Sequence, residues 1–302
     1  MRQLTYLVAL DRHRHFARAA ESCHVSQPAL SAGLSELERE LGITIVKRNR
    51  SFQGITPEGE RVLAWAHQVL ASLEGLRQEA QLGRSVPGGH LAIGTIPSAV
   101  QAATALAAEY RRLIPGLTLE IYSLSTRDIL RRLKKHDLHL GITYGDAAAA
   151  NGDCEVLPLF AERYVLVAGE GAELPRNMSW SEVAKLPLCL FDEEMHNRSI
   201  LDHIFREAGV QPNIVMETNA VEVLHSEVQG GQAVSVMPIS ALPRYFLEIG
   251  VKVHPIHPEQ SSKVGLLRLN REAQPPLSNA AWNIAKAFDL QGLLDELVGE
   301  AR

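Results

Sequence analysis

The chain has few cysteines, few aromatic side chains and no long uninterrupted apolar run. Its three cysteines, Cys23, Cys154 and Cys189, are scattered through 302 residues. An odd number with no CxxC or similar spacing argues against a disulfide framework and a cysteine metal site, and predicts free thiols in a reducing compartment. No stretch approaches the roughly 18 to 20 apolar residues of a membrane span. The first apolar run, Leu4 to Leu10, is too short for a secretory signal and meets Asp11 and Arg12 without a small-residue cleavage site, so a cytoplasmic protein is expected. Aromatics are only 5% of the chain, but 46% of it is hydrophobic and 22% charged. That balance excludes disorder, collagen and a coiled-coil rod. The length is about twice the ~150 residues of one domain, so at least two folding units are expected.

An excess of positive charge is also missing, since the net charge is −5. The average conceals an asymmetry. Residues 1–85 carry 11 Lys and Arg against 9 Asp and Glu, whereas the remainder carries 19 against 26. A face for a polyanion is therefore expected in the N-terminal third.

From Leu4 to Leu41 apolar residues recur at helical spacing, interrupted by short polar joints, which predicts three short helices. The second runs from about Phe16 to Cys23. The third is announced by Ser26 as N-cap with Pro28 in the first turn, and is stopped by Gly42. On it Leu30, Leu34, Leu37 and Leu41 form a stripe to bury, whereas Gln27, Ser31 and Ser35 form an uncharged, hydrogen-bonding face. Two short strands joined by the basic turn Lys47-Arg48-Asn49-Arg50 follow, so the first 57 residues read as a helix-turn-helix with a wing. In a major groove Gln27 can pair with adenine, Ser26, Pro28, Ser31 and Ser35 lie on the approaching face, and Arg48 and Arg50 reach phosphates or a minor groove.

Thr56-Pro57 opens a long helix expected over 58–84. Within it Val62, Ala66, Val69, Leu73, Leu76 and Ala80 keep a heptad seam that calls for a partner helix. Ser85 to Gly89 read as a hinge. From residue 90 apolar runs alternate with helical segments, the signature of α/β structure, compatible with one large sheet or two small ones. Expected strands are His90–Thr95, Thr118–Ser123, Leu138–Thr143, Tyr164–Ala168, Leu188–Phe191, Ile214–Glu217, Ala233–Met237 and Val264–Leu269. Among the histidines, His13 and His15, His136 and His139, and His254 and His257 are close pairs without further ligands at a metal spacing. No Walker loop, nucleophile elbow, HExxH or dinucleotide loop occurs, and neither a cofactor nor catalysis is expected.

Four blocks, Phe16-Ala17-Arg18-Ala19-Ala20-Glu21, Val25-Ser26-Gln27-Pro28-Ala29-Leu30-Ser31, Leu37-Glu38-Arg39-Glu40-Leu41-Gly42 and Thr56-Pro57-Glu58-Gly59, with Lys47-Arg48 between the last two, resemble the N-terminal signature of LysR-type transcriptional regulators. The stretch Gly230 to Pro238 resembles that family's turn and strand leading to a proline. Ala32 and Gly33 depart from the pattern, since many members carry an arginine and a glutamine there. The resemblance implies an effector domain over 90–302 like periplasmic solute-binding proteins, with lobe I about 90–162 and 268–302 and lobe II about 163–267. It further implies double-stranded DNA at pseudo-palindromic promoter sites as partner, pairing of subunits through helix 58–84, and a homotetramer.

By order along the chain, Ser98, Thr126 and Thr143 match pocket positions of one lobe, and His196 and Asn219 those of the other. Helix N-termini and hydroxyl donors converging there favour a small anion or carboxylate. His196 when protonated and Arg198 are expected to add positive charge. In the peroxide-sensing branch a reactive cysteine stands where this chain, aligned through Phe205 to Gly209, has His196. Cys189 lies seven residues earlier inside a strand, so sensing by that route is not expected. The rival from another class is an α/β enzyme or solute-binding protein with an accessory helical hairpin.

Overall fold

The computed structural model describes residues 1–48, 52–82, 89–146, 152–175, 177–243, 246 and 250–299. It divides into two compact units, Met1–Ser85 with Gln274–Pro276, and Val86–Ala273 with Leu277–Arg302. Among the described residues no helix is long and apolar enough to cross a membrane.

The first unit contains α1 (Arg2–His13), α2 (Phe16–Ser22), α3 (Gln27–Leu41), the antiparallel pair β1 (Val46–Arg48) and β2 (Phe52–Ile55), and α4 (Pro57–Leu82). Local chemistry sets each boundary of α3. The Ser26 hydroxyl accepts from the Ala29 amide at 3.3 Å, and Gly42 ends the helix at φ 66°, a left-handed conformation that favours glycine. Leu30, Leu34 and Leu37 are buried with Leu7, Leu10, Ala19 and Ala20, but Leu41 is 49% exposed and leaves the predicted stripe. It sits in the last turn, beyond the reach of α1 and α2.

Glu38 secures the entry to the wing, its Oε1 accepting from the amides of Ile45 and Val46, both at 2.9 Å. Phe52 anchors the second wing strand, edge-on to Phe16 at 6.2 Å and beneath the Arg14 guanidinium. Helix α4 is part of this core and not a separate linker, because Leu63 and Ala66 are buried against it and Val62 packs there too. Two members of the predicted seam are thus spent inside their own unit.

The second unit opens with β3 (Gly89–Thr95), a 3₁₀ turn (Pro97–Ala99), α5 (Val100–Leu113), β4 (Leu117–Ser123), α6 (Thr126–Lys134) and β5 (Leu140–Tyr144). β3 pairs in parallel with β4 on one side and β5 on the other. β6 (Cys154–Ala168) leads to β7 (Met178–Ser179), α7 (Trp180–Val183), β8 (Leu188–Phe191), α8 (His196–Glu207), β9 (Ile214–Thr218), α9 (Val221–Gln229), β10 (Ser235–Pro238), a second 3₁₀ turn (Ile239–Ala241), β11 (Lys252–His257), β12 (Ser261–Leu269), α10 (Pro276–Ala287) and α11 (Leu290–Gly299).

The choice between one sheet and two is settled by β6. Residues 154–163 pair with β12, and residues 164–168 pair with β10 and β11, so one strand serves two lobes with separate cores. Residues 264–267 of β12 also pair with β5, which puts 261–267 in the first lobe and moves the expected boundary at 267 back to about 260. The first ten residues of β6 and all of β11 escaped sequence reading because each contains a proline amid mixed polar residues. Pro158 is tolerated at a bulge, where Gly265 approaches so closely that a Cβ would lie 2.8 Å from Val156 Cγ1.

Gly59 tests the packing of α4. A Cβ there would meet the Ile45 carbonyl oxygen at 2.5 Å and Ile55 Cγ2 at 2.7 Å. Gly59→Ala gains about 1 kcal/mol of helix propensity, but overpacking against backbone typically costs about 1 to 3 kcal/mol. The expected outcome is a lower melting temperature for the N-terminal unit, measured by circular dichroism.

Candidate functional site

In the first unit, α3 presents Gln27, Pro28 and Ser35 exposed and Ser31 half-buried, with their backbone held by the Ser26 cap. The missing glutamine at position 33 has a structural counterpart. Gly33 lies under the Tyr6 ring, where a Cβ would stand 2.8 Å from Cδ2, so α1 occupies space beside α3 that a larger residue would claim. The side chain of Arg48, and Arg50 altogether, lie outside the described residues.

Helix α4 carries an exposed apolar stripe of Trp65, Val69 and Leu76, with Leu73 half-buried and Ala80 exposed. Val69, Leu73, Leu76 and Ala80 are members of the heptad seam expected from the sequence. Trp65, 67% exposed, replaces Val62 and Ala66 at its N-terminal end.

In the second unit each lobe contains a small parallel set of strands whose order reverses at its first strand, extended by antiparallel partners, and a crevice belongs at the C-terminal ends of such parallel strands. The first lobe runs β4-β3-β5. In the second, β8 pairs with β9 and bridges to Val234 ahead of β10. Ser98, Thr126 and Thr143 stand at the C-terminal edge of one sheet, and His196, Asn219 and Ser240 at that of the other. Each edge carries a strand, a proline and a serine in a 3₁₀ turn, Pro97-Ser98 in one and Pro238-Ile239-Ser240 in the other. That internal echo is the sequence signal by which Ser240 could have been found.

The predicted residues fall into separate groups. Thr126 and Thr143, both buried, share a hydrogen bond of 2.7 Å between their hydroxyls. Ser98 instead faces Glu162 and Tyr144, whose ionised forms its hydroxyl favours. Glu162, 1% exposed, also accepts from Ser240 Oγ at 2.6 Å and Tyr144 OH at 3.0 Å. Burial raises its pKa above the ordinary carboxylate range, against the opposing pull of the three hydroxyls. Asn197 Nδ2 donates across the lobes to Tyr144 OH at 3.2 Å, and the His196 ring lies 4.8 Å from that of Tyr144. His196 Nε2 stands 3.7 Å from Asp146 Oδ1. Asn219 is exposed at the end of β9.

Two expectations change here. Arg198 supplies no free charge to the crevice, because its guanidinium is buried and bonded to Asp202 at 2.8 Å, to the Phe191 carbonyl at 3.0 Å and to Glu217. Tyr144, Glu162, Asn197 and Ser240, absent from the sequence reading, form the polar centre that joins the lobes. Of the three thiols only that of Cys189 is buried, those of Cys23 and Cys154 being half-buried. Cys189 is fully buried and burial, with Glu227, pushes its pKa up to about 11, while burial and Asp153 raise that of Cys154. Among the described residues no group of three or more His, Cys, Asp or Glu could hold a metal ion.

Comparison with known proteins agrees with this division. Residues 1–60 match the model of the bacterial regulatory helix-turn-helix protein, lysR family, and residues 84–289 match that of the LysR substrate binding domain. The chain is 29% identical to the hydrogen peroxide-inducible genes activator of Haemophilus influenzae, over 98% of this chain and 99% of that protein. Full-length OxyR from Pseudomonas aeruginosa, solved with a cysteine-to-aspartate substitution, superposes with a TM-score of 0.75 at 28% identity, covering 96% of this chain and 97% of that one. Full-length CbnR, solved with its target DNA, shares the fold at a TM-score of 0.65 and 18% identity, covering 95% and 98%. With a helix-turn-helix at one end and a two-lobed ligand domain at the other, both matched to their family models, this chain belongs to the LysR family of DNA-binding transcriptional regulators and is not an enzyme.

Proposed function

We propose that this chain is a cytoplasmic, sequence-specific regulator whose α3 reads a pseudo-palindromic site and whose crevice binds a small anion or carboxylate. The observation that carries the ligand reading is the buried, hydrogen-bonded pair of hydroxyls made by Thr126 at the N-terminus of α6 and Thr143 near the C-terminal end of β5. Hydroxyl donors and a helix N-terminus favour negative charge. The neutralised Arg198 limits the site to ligands that such dipoles can hold without a full counter-charge. Ser98, His196 and Asn219 line the approach from the two sheet edges.

Pairing through α4 is supported by the exposed stripe from Trp65 to Leu76, too apolar to remain open to water along a helix of this length. Two such pairs joined through their effector units form the tetramer. Relatives include peroxide-inducible activators, but a peroxide-reactive cysteine must be accessible and ionised. Burial of Cys189 and its raised pKa support a response that uses no thiol, with His196 standing where that branch has its cysteine.

Gel-shift titration on DNA flanking the encoding gene tests the whole reading. Gln27→Ala is expected to shrink the ratio of specific to nonspecific affinity, and Arg50→Ala to weaken all sequences alike and reduce the salt slope by about one. Loss of neither specificity nor affinity would remove α3 and the wing from the interface.

Leu76→Asp places a charge in the exposed seam, and Leu73→Asp does so one turn earlier. Sedimentation velocity should show either variant falling from tetramer to dimer, since a carboxylate buried against its symmetry mate costs several kcal/mol. An unchanged tetramer would exclude α4 as the pairing element.

Cys189 should resist alkylation by iodoacetamide at pH 8 in the folded protein and react after unfolding in urea, read by mass spectrometry. The thiolate is the reacting form, and its fraction falls about tenfold for each unit that the pKa exceeds the pH.

A further inference from the structure

We propose that Ala32 is a base-reading residue that selects thymine through its 5-methyl group; this rests on the reading of α3 as the helix in the major groove and adds to it which bases that helix prefers. The nine residues from Gln27 to Ser35 carry no charged side chain. Guanine is read by a bidentate arginine or lysine and cytosine by a carboxylate, so neither base meets its partner along this stretch. Serine hydroxyls bond to donor and acceptor edges alike and discriminate little. Two matched pairings remain, the Gln27 amide with adenine and an apolar group with the methyl of thymine. The first charges on the helix, Glu36 and Arg39, come only after this stretch and engage each other at 3.8 Å, with Gln3 donating to Glu36 at 3.3 Å.

Helix geometry singles out Ala32 as the apolar group. Leu30 and Leu34, 0 and 1% exposed, define the buried side of α3. Ala32 is two residues from each, about 200° of turn at 3.6 residues per turn, so it points away from the core. It is exposed, as is Pro28 one turn earlier. Residues four apart on a helix are neighbours, with roughly 5 to 6 Å between Cβ atoms. The proline ring and the alanine methyl therefore form a short apolar strip on which one thymine methyl can rest. The small residues Ala29, Ala32 and Gly33 keep this surface low and line an open groove shared with Arg2, Gln3 and Tyr6 of α1. A low helix surface can lie deep enough in the major groove for the Ala32 Cβ to reach a base at the roughly 3.5 to 4.0 Å of carbon contact.

The test selects duplexes for the full chain from a random-sequence pool, then replaces each thymine of the selected duplex in turn by deoxyuridine, which lacks only the 5-methyl. Titrations at fixed salt should find one thymine in each half-site whose replacement weakens wild-type binding about fourfold, and about fifteenfold when both half-sites are changed, the worth of one buried methyl-sized group at each. In Ala32→Gly the same replacements should cost nothing. Tolerance of uracil at every position by the wild-type chain would overturn the proposal; a loss of specificity in Gln27→Ala would then leave α3 standing as the reading helix. A methyl effect that persists undiminished in Ala32→Gly would give the contact to another residue and overturn the proposal equally. A pool that yields no preferred sequence would remove both the proposal and the reading of α3 beneath it. The uracil scan is made on the wild-type chain, so a variant that fails to fold leaves the proposal falsifiable.

Discussion

A carboxyl group taken out of water must be paired or hydrogen-bonded, and Glu162 imposes that demand at the one point where β6 leaves one lobe and enters the other. The hydroxyls that meet it come from both sheets. Ser98 belongs to the turn after β3, Tyr144 to the end of β5, and Ser240 to the turn after β10. Satisfying one buried acid therefore brings the C-terminal edges of two separately wound sheets face to face. Opening the lobes would have to break or re-form these bonds, which ties ligand occupancy to the relative pose of the lobes.

The N-terminal unit obeys a different constraint, the shortage of apolar surface in a small domain. It recruits the first turns of α4 into its core through Val62, Leu63 and Ala66, and pins its wing with Glu38 and Phe52. The same helix leaves Trp65 uncovered beside them, and Val69 and Leu76 further along. One helix thus completes a fold with its first three turns and offers an association surface mainly beyond them.

Charge is economised in the crevice. Arg198 is neutralised by Asp202 and Glu217, which leaves hydroxyls, an amide, an imidazole and a helix terminus as the polar groups at the two sheet edges. Such groups discriminate by the count and direction of hydrogen bonds more than by net charge. Of the thiols of Cys154 and Cys189, that of Cys189 is buried and that of Cys154 half-buried, and burial holds both above the ordinary thiol range.

The amino-acid sequence by itself determined what depends on neighbours within one or two turns. Ser26 and Gly42 bound α3, Thr56 opens α4 by accepting from the Gly59 amide, and the apolar runs of β3, β5 and β8 mark strands buried on both faces. Periodicity also identified the apolar faces of α3 and α4, but not what covers them, so Ala66 and Leu76 looked alike although one is buried in its own unit and the other is exposed. Only the tertiary structure decided the centre of the crevice. Glu162 meets Ser240 across 78 positions and Asn197 meets Tyr144 across 53, and no local pattern distinguishes such a glutamate or asparagine from a solvated one. Arg198 misled for the same reason: its partner Glu217 is 19 residues away, on a strand that joins it only when the sheet assembles.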